Sequence, residues 1–448
     1  MVDLKDADIQ ILEELGNLSR FKQPLPHKNN TNSKNFYYTM ENDEIVEIIM
    51  FSCGLTRIPD SIGNLTNLKT LNLKSNGFTA LPSSIGNLSN LVTLDLESNR
   101  LEKLPDSIGK LSSLKTLKLS NNRGLKLTNS IGTIRSLQTL DLRSLNLENV
   151  PDSIGYLSML QTLYLGDNSP LIKIPGSIGH LSSLKELYLG GLPKIQTLPE
   201  SIGNLSSLEK LDLTGNYFLE SMPNTIGNLT SLKELNLFSD KKITALPDSI
   251  GNLTSLQVLN LHGCQITSLP FSIGNLTKLT SLKLRSNKLT SIPDSIGNLN
   301  SLIDLDLSGN SLSSIPDTIG NLTSLQNLIL AQNHLTTLPE TMCNLKNIEI
   351  LSLGSNKIQA LPESIGDIEA LQKFSVLSNQ LSSLPRTIGQ LKNLEFLDLR
   401  MNKFSELPGS IWPLKGLKEL LTEKNPWNEK AKYIIDKQDI PLILDTCR

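Results

Sequence analysis

The chain has 448 residues, with 42 Lys and Arg against 44 Asp and Glu and a formal charge of −2. A nucleic-acid binder carries a basic surplus; this chain has none, and it has no general attraction to an anionic membrane either. Leucine fills 89 positions while aromatic residues make up only 4 %, which points to one core motif used many times rather than to two or three unrelated domains.

In chain order, residues 1–44 read as a cap. The start, Met1 to Asp6, is charged and lacks the apolar run of a secretory signal. Asp3 to Leu15 predicts a short amphipathic helix with Ile9, Leu12 and Leu15 on one side and Gly16 as its stop. Pro24 to Asn35 reads as a loop. Phe36 to Met40 and Ile45 to Phe51, joined through Glu41-Asn42-Asp43, read as a hairpin whose second arm is the first repeat strand.

Residues 45–425 are repeats. Leu68, Leu71, Leu73 and Asn76 fit L-x-x-L-x-L-x-x-N, and the unit runs on through Phe78, Leu81-Pro82, Ile85-Gly86 and Leu88 before restarting at Leu91. Fifteen such units, eleven of 23 residues and four of 24, lead to Leu417, and 17 strand positions result. Period-2 alternation sends Leu71 and Leu73 to one face and Asn72 and Lys74 to the other. Asn at the strand end can satisfy backbone groups where the chain turns away; twelve units carry it, while Cys53, Cys264, Asp240, Leu145 and Leu192 stand in its place. The Leu-Pro step suits a turn. Ser84 to Leu88 is too short for a free helix and predicts a helical turn with Ile85 and Leu88 inward. Residues 426–448, from Pro426-Trp427 through short helices near Glu429–Asp436 and Ile440–Cys447, read as a second cap.

The L-P-x-S-I-G-N-L-x-x-L wording resembles leucine-rich-repeat proteins, closest to the plant intracellular Ras-group-related type, the Ras-suppressor type and stand-alone prokaryotic members. The resemblance implies an α/β leucine-rich-repeat solenoid, a curved horseshoe with a parallel sheet of about 17 strands on the concave face and short helical or irregular segments on the convex one. It also implies a non-catalytic interaction scaffold or signalling adaptor. A small Ras-like GTPase or a phosphatase catalytic subunit is the kind of partner that follows. The plant family's C-terminal Gly-[Val/Ile]-Tyr-Trp signature is missing here, and so is a [Lys/Arg]-[Val/Ile]-x-[Phe/Trp] docking motif. The alternative is an extracellular recognition protein of the receptor type, which would need an export signal and, usually, cysteine-bearing caps.

No phosphate-loop, dinucleotide or H-E-x-x-H motif occurs. His27, His180, His262 and His334 form no ligand set, and Cys53, Cys264, Cys343 and Cys447 are too scattered for a zinc site or a disulfide framework. The expectation is no enzyme, no cofactor, no metal, and a monomer in a reducing cytoplasm. No stretch approaches 18 apolar residues, so no membrane span is expected.

Specificity then falls to the outward strand positions. The residue between the second and third leucine and the one two places on are mostly small or polar. Against that surface stand Tyr164, Tyr188, Phe238 and His262, with Gly166 and Gly190 leaving room beside the tyrosines and Arg143 and Arg285 flanking. Tyr and Arg are enriched in interface hot spots, so these residues are the candidate partner site. Leu377, Phe396 and Arg400 are a second candidate. The extra residue of each 24-residue unit comes at Asn168-Ser169-Pro170, Leu192-Pro193-Lys194, Asn216-Tyr217-Phe218 and Asp240-Lys241-Lys242, bulging the rim beside the aromatic residues.

Overall fold

The computed structural model describes residues 6–436 and 440–446. The chain folds into two compact units that divide between Leu219 and Glu220, a division inside the repeat array that the sequence pattern does not mark. The first three residues of the expected N-terminal helix, and Cys447, lie outside the described residues.

The first unit opens with helix α1 (Asp6–Leu18). Its buried side is Ile11, Leu12 and Leu15, whereas Ile9 is exposed, so the apolar face is rotated from the expected one. Gly16 does not end the helix. A Cβ there would collide with the Gln23 carbonyl of the returning chain, so this glycine lets two backbones touch. Ser19 closes the helix by donating its hydroxyl to Gly16 O at 2.6 Å. The hairpin follows as β1 (Phe36–Glu41) and β2 (Glu44–Met50), paired antiparallel. Asn42 and Asp43 both have positive φ, as a two-residue turn matched to strand twist requires.

From β2 onward each repeat adds one three-residue parallel strand in strict register. In the first unit the row runs Ile48, Leu71, Leu94, Leu117, Leu140, Leu163, Leu187, Leu211. In the second it runs Leu235, Leu259, Leu282, Leu305, Leu328, Leu351, Phe374, Leu397, Leu420. Register holds across units of 23 and 24 residues because the extra residue of the longer ones falls after the ladder position, outside the strand. Among the described residues, with β1 set apart, 17 repeat strands are present, as the spacing predicts.

The return segment of each repeat is a single 3₁₀ turn, such as Ser83–Asn87 after Pro82. Ile85 and Leu88 are fully buried, as the pattern requires. The glycine of each Ile-Gly step packs under the next repeat; a Cβ on Gly63 would lie 2.5 Å from Ser84 O. Hydroxyls tie some turns to their predecessors, as in Ser201 Oγ donating to Gly176 O and Ser272 Oγ to Asp248 O, both at 2.7 Å.

The asparagine column binds the strand ends together. Asn122 Nδ2 donates to Leu96 O of the preceding repeat at 2.9 Å and to Leu119 O of its own at 2.7 Å, while its Oδ1 accepts from Leu101 N at 3.0 Å. Each strand-end carbonyl is thus normally held by two successive asparagines. The residue before the asparagine takes a left-handed conformation in repeat after repeat, as at Ser75, Ser98 and Asn121. Cys264 imitates the missing amide by donating its thiol to Leu237 O at 3.1 Å.

The leucine rows carry the energetics. Leu282 is fully buried while Lys283 beside it is exposed. Leu282→Ala should therefore cost roughly 2–5 kcal/mol, and Lys283→Ala less than about 0.5 kcal/mol. Urea unfolding of the two variants tests the register, since a one-residue slip would exchange the effects.

At the end of the second unit, Trp427 stacks on Phe404 with centroids 5.9 Å apart and donates Nε1 to Thr422 O at 2.9 Å. Helix α2 (Glu429–Ile435) is N-capped by Asn428, whose side chain accepts from Ala431 N, and α3 (Ile440–Thr446) follows.

Candidate functional site

On the exposed face of the sheet, the position between the second and third leucine is Asp or Asn in eight of the described repeats. In most of these repeats its side-chain oxygen accepts the N–H two residues on. Asp95 takes Glu97 N at 3.1 Å, Asp212 takes Thr214 N at 2.9 Å, Asn260 takes His262 N at 3.1 Å and Asp306 takes Ser308 N at 2.9 Å. Where it holds Asp or Asn, this column, which looks free to vary in the sequence, performs a structural turn.

Tyr164 and Tyr188 break that rule in adjacent strands. Their rings stack at 4.6 Å between centroids and 12° between planes. The Arg143 guanidinium lies over the outer face of Tyr164 at 4.7 Å, and Lys210 Nζ lies over Tyr188 at 5.9 Å. The result is a four-layer column of cation, ring, ring and cation drawn from four successive strands. Arg143 is itself held by Asp141 through Nε at 2.9 Å and a second nitrogen at 2.6 Å, so it is a fixed part of the platform and not the free flanking charge the sequence implies. That bond to Asp141 also raises its pKa. Tyr188 donates its hydroxyl to Glu186 at 3.1 Å. Burial, and then that bond, push its pKa up; burial followed by the Glu186 charge does the same for Tyr164.

Beside the column runs a groove of about 650 Å³. Gly166 and Gly190 lie along its floor, with Tyr164 and Tyr188 on one side. The rim residues Asp167, Ser169, Pro193 and Tyr217 lie on the other. The lengthened rim of the 24-residue units and the tyrosine pair therefore build one feature. Gly166 has a reason of its own: a Cβ there would lie 2.5 Å from Gly190 O, so close backbone approach demands it, beyond the room it leaves for a ligand.

The other candidates belong to the second unit. Phe238 and His262 form an edge-on pair at 4.9 Å and 75°. Burial, and then the Arg285 charge, lower the His262 pKa. Phe396 lines a groove of about 520 Å³ with Ser352, Lys373, Glu395 and Lys418, the last two ion-paired at 2.7 Å. Leu377 and Arg400 do not line it; Arg400 is turned to Asp398 through bonds of 2.9 and 2.8 Å.

Sequence reading missed Glu186 and Lys210. They sit two residues before the column it read, on the same face by period-2 alternation, and that alternation was the signal available.

Burial pushes the Cys53 thiol up to about 11 and the Cys264 thiol up to about 12, values unsuited to a nucleophile. Among the described residues no group of three or more His, Cys, Asp or Glu is placed to hold a metal ion, and no helix is long and apolar enough to cross a membrane.

A leucine-rich-repeat region model matches residues 56–125, 107–192 and 225–310, and two further leucine-rich-repeat models match 323–381 and 207–229, 301–322 and 393–414. A leucine-rich-repeat protein of Leptospira interrogans is 37 % identical, with a TM-score of 0.74 over 86 % of this chain and 95 % of that one. The chain belongs to the leucine-rich-repeat family. A TDR receptor is 28 % identical with a TM-score of 0.65, over 85 % of this chain and 69 % of that one. The Arabidopsis receptor kinase HAESA, solved with the peptide hormone IDA and the co-receptor SERK1, is 26 % identical with a TM-score of 0.54, over 94 % and 86 %. No curated protein matches the chain. The leucine-rich-repeat fold suits protein–protein interaction, and it leaves the choice of partner to the exposed strand positions.

Proposed function

We propose that this leucine-rich-repeat chain is a non-catalytic interaction scaffold that binds a polypeptide partner on the exposed face of its sheet, with the Arg143–Tyr164–Tyr188–Lys210 column as the principal anchor. The observation that carries this reading is the column itself. Two adjacent strands give up the structural Asp or Asn for tyrosine, and the rings are fixed at both ends by the protein's own cations. A rigid aromatic anchor loses little conformational freedom on binding, which is how a small patch contributes large affinity.

An adaptor working inside the cell is favoured by the three described cysteines, all free thiols, two of them fully buried. A receptor-type role is the second reading, prompted by the similarity to HAESA, solved with a peptide hormone. Both use the same face.

Affinity capture from native lysate with wild type and the Tyr164→Ala/Tyr188→Ala variant is the test, with Ras-like GTPases and phosphatase catalytic subunits scored first. The double variant should weaken capture at least about thirtyfold, since a single hot-spot truncation costs about 2 kcal/mol or more. It should still fold, because both rings stand outside the leucine core. Lys110→Ala, in a 3₁₀ turn, should capture normally. Undiminished capture by a folded double variant would remove the column from the interface, and turnover of a substrate by the purified chain would overturn the non-catalytic reading.

A further inference from the structure

The N–H groups that follow the exposed column supply an independent observation. Where that column holds Asp or Asn, the next outward N–H turns to a side-chain oxygen on the exposed face, as Arg143 N does to Asp141 at 3.1 Å and Phe238 N to Asn236 at 3.1 Å. After Tyr164 and Tyr188 no such oxygen exists. Among the described residues the N–H groups of Gly166 and Gly190 have no acceptor, and both glycines line the groove. Two vacant donors on neighbouring strands, about 4.8 Å apart, lie closer than the same-side carbonyls of an extended chain, which repeat at about 6.7 Å, so such a chain sets one carbonyl against this pair.

Charge narrows the occupant further. Arg143 is neutralised by its two bonds to Asp141. Asp212 spends one oxygen on Thr214, taking both its N–H and its hydroxyl at Oδ1. Asp167 is exposed and, among the described residues, forms no hydrogen bond or ion pair through its carboxylate. The groove is therefore anionic, with aromatic edges at Tyr164, Tyr188 and Tyr217. A sugar or a nucleobase binds on an open ring face, but Tyr164 is sandwiched between Arg143 and Tyr188, and the remaining face of Tyr188 has Lys210 Nζ 5.9 Å from its centre. A polypeptide needs only edges, donors and countercharge.

Resting on the reading that the exposed face binds a polypeptide, we infer that this groove takes an extended segment of the partner. The segment sets one backbone carbonyl against the Gly166 and Gly190 N–H pair and an Arg or Lys side chain between Asp167 and Asp212. Spanning the four strands from Arg143 to Lys210 takes roughly 14 Å, or about four extended residues.

The probe is a phage-displayed library of random heptapeptides panned on the full chain, followed by anisotropy measurements on the enriched peptides. Enrichment of basic sequences is expected, with Asp167→Asn/Asp212→Asn weakening binding at least tenfold and added salt weakening it further. These substitutions change charge alone: Asn tolerates the φ of +57° at position 167 and retains an oxygen for Thr214 at position 212. In amide spectra, Gly166 and Gly190 should shift on peptide addition in step with occupancy. Peptides with no basic preference, or peptides indifferent to the two aspartates, overturn the inference. If that binding is still lost in the double tyrosine variant, or only in Phe396→Ala, the functional reading stands while the groove assignment falls. If no peptide is enriched and no captured protein depends on an exposed-face residue, both fall.

Discussion

Asn168→Leu should destabilise the first unit by roughly 4–12 kcal/mol, far more than the same change at Asn333. Both asparagines are buried and hold the same place in their repeats. They differ in their neighbours. Asn333 stands between Asn310 and Asn356, so after its loss Leu307 O still accepts from Asn310 and Leu330 O from Asn356, and only Leu312 N is stranded. Asn168 stands between Leu145 and Leu192. Among the described residues it alone donates to Leu142 O at 2.9 Å and Leu165 O at 2.8 Å, and it accepts from Leu145 N at 3.0 Å and Leu147 N at 3.1 Å. Its removal strands four buried backbone groups, at roughly 1–3 kcal/mol each, against one for Asn333. Hydrogen exchange should show Leu145 and Leu147 amides losing protection first. Equal urea midpoints for the two variants would mean that the column is not a shared ladder.

The same geometry explains why the chain carries leucine at two ladder positions at all. Leu145 N and Leu192 N are each taken by the next repeat's asparagine, at 3.0 and 2.8 Å. A single apolar replacement removes one of two donors and leaves the other. Two in succession would leave a carbonyl with none, and the sequence alternates Asn122, Leu145, Asn168, Leu192, Asn216.

The repeat register, the burial of each leucine row, the single turn in each return segment and the placing of Tyr164 and Tyr188 on neighbouring strands were legible because period and spacing alone determine them, whereas their stacking was not. The site was only half legible. Asp95, Asp212 and Asp306 look like surface choices in the sequence, yet they accept a backbone N–H two residues on, and nothing in composition separates that role from a free carboxylate. Arg143 reads as a flanking charge because period-2 alternation puts it on the same face as Asp141 without showing that the two side chains bond. The inward side of α1 was misjudged for a related reason. Its buried face is fixed by what the returning chain covers, including the Gly16–Gln23 contact, and a thirteen-residue periodicity does not contain that information.

Trp427→Ala should cost roughly 3–5 kcal/mol, the range for truncating a buried aromatic residue, and the loss should appear at the C-terminal end of the second unit. Trp427 is 7 % exposed, against Phe404 at 0 %. It covers the Phe404 ring and satisfies Thr422 O, so its removal opens a cavity and leaves a carbonyl without that donor. Its position also places α2, whose Ala431 and Ile434 are buried. Stability in a repeat stack is shared between neighbours, so an uncovered last repeat should fray locally before the interior rows around Leu282 open. Limited proteolysis should then cut the variant near Phe404–Trp427 while leaving residues 220–400 resistant. Deleting residues 426–448 should exaggerate the same pattern and add aggregation through the exposed strand Glu419–Leu421. A truncated chain that neither aggregated nor lost protease resistance would show that this segment is dispensable for folding, and a docking role for it would then be the better account of its cap, stack and helix.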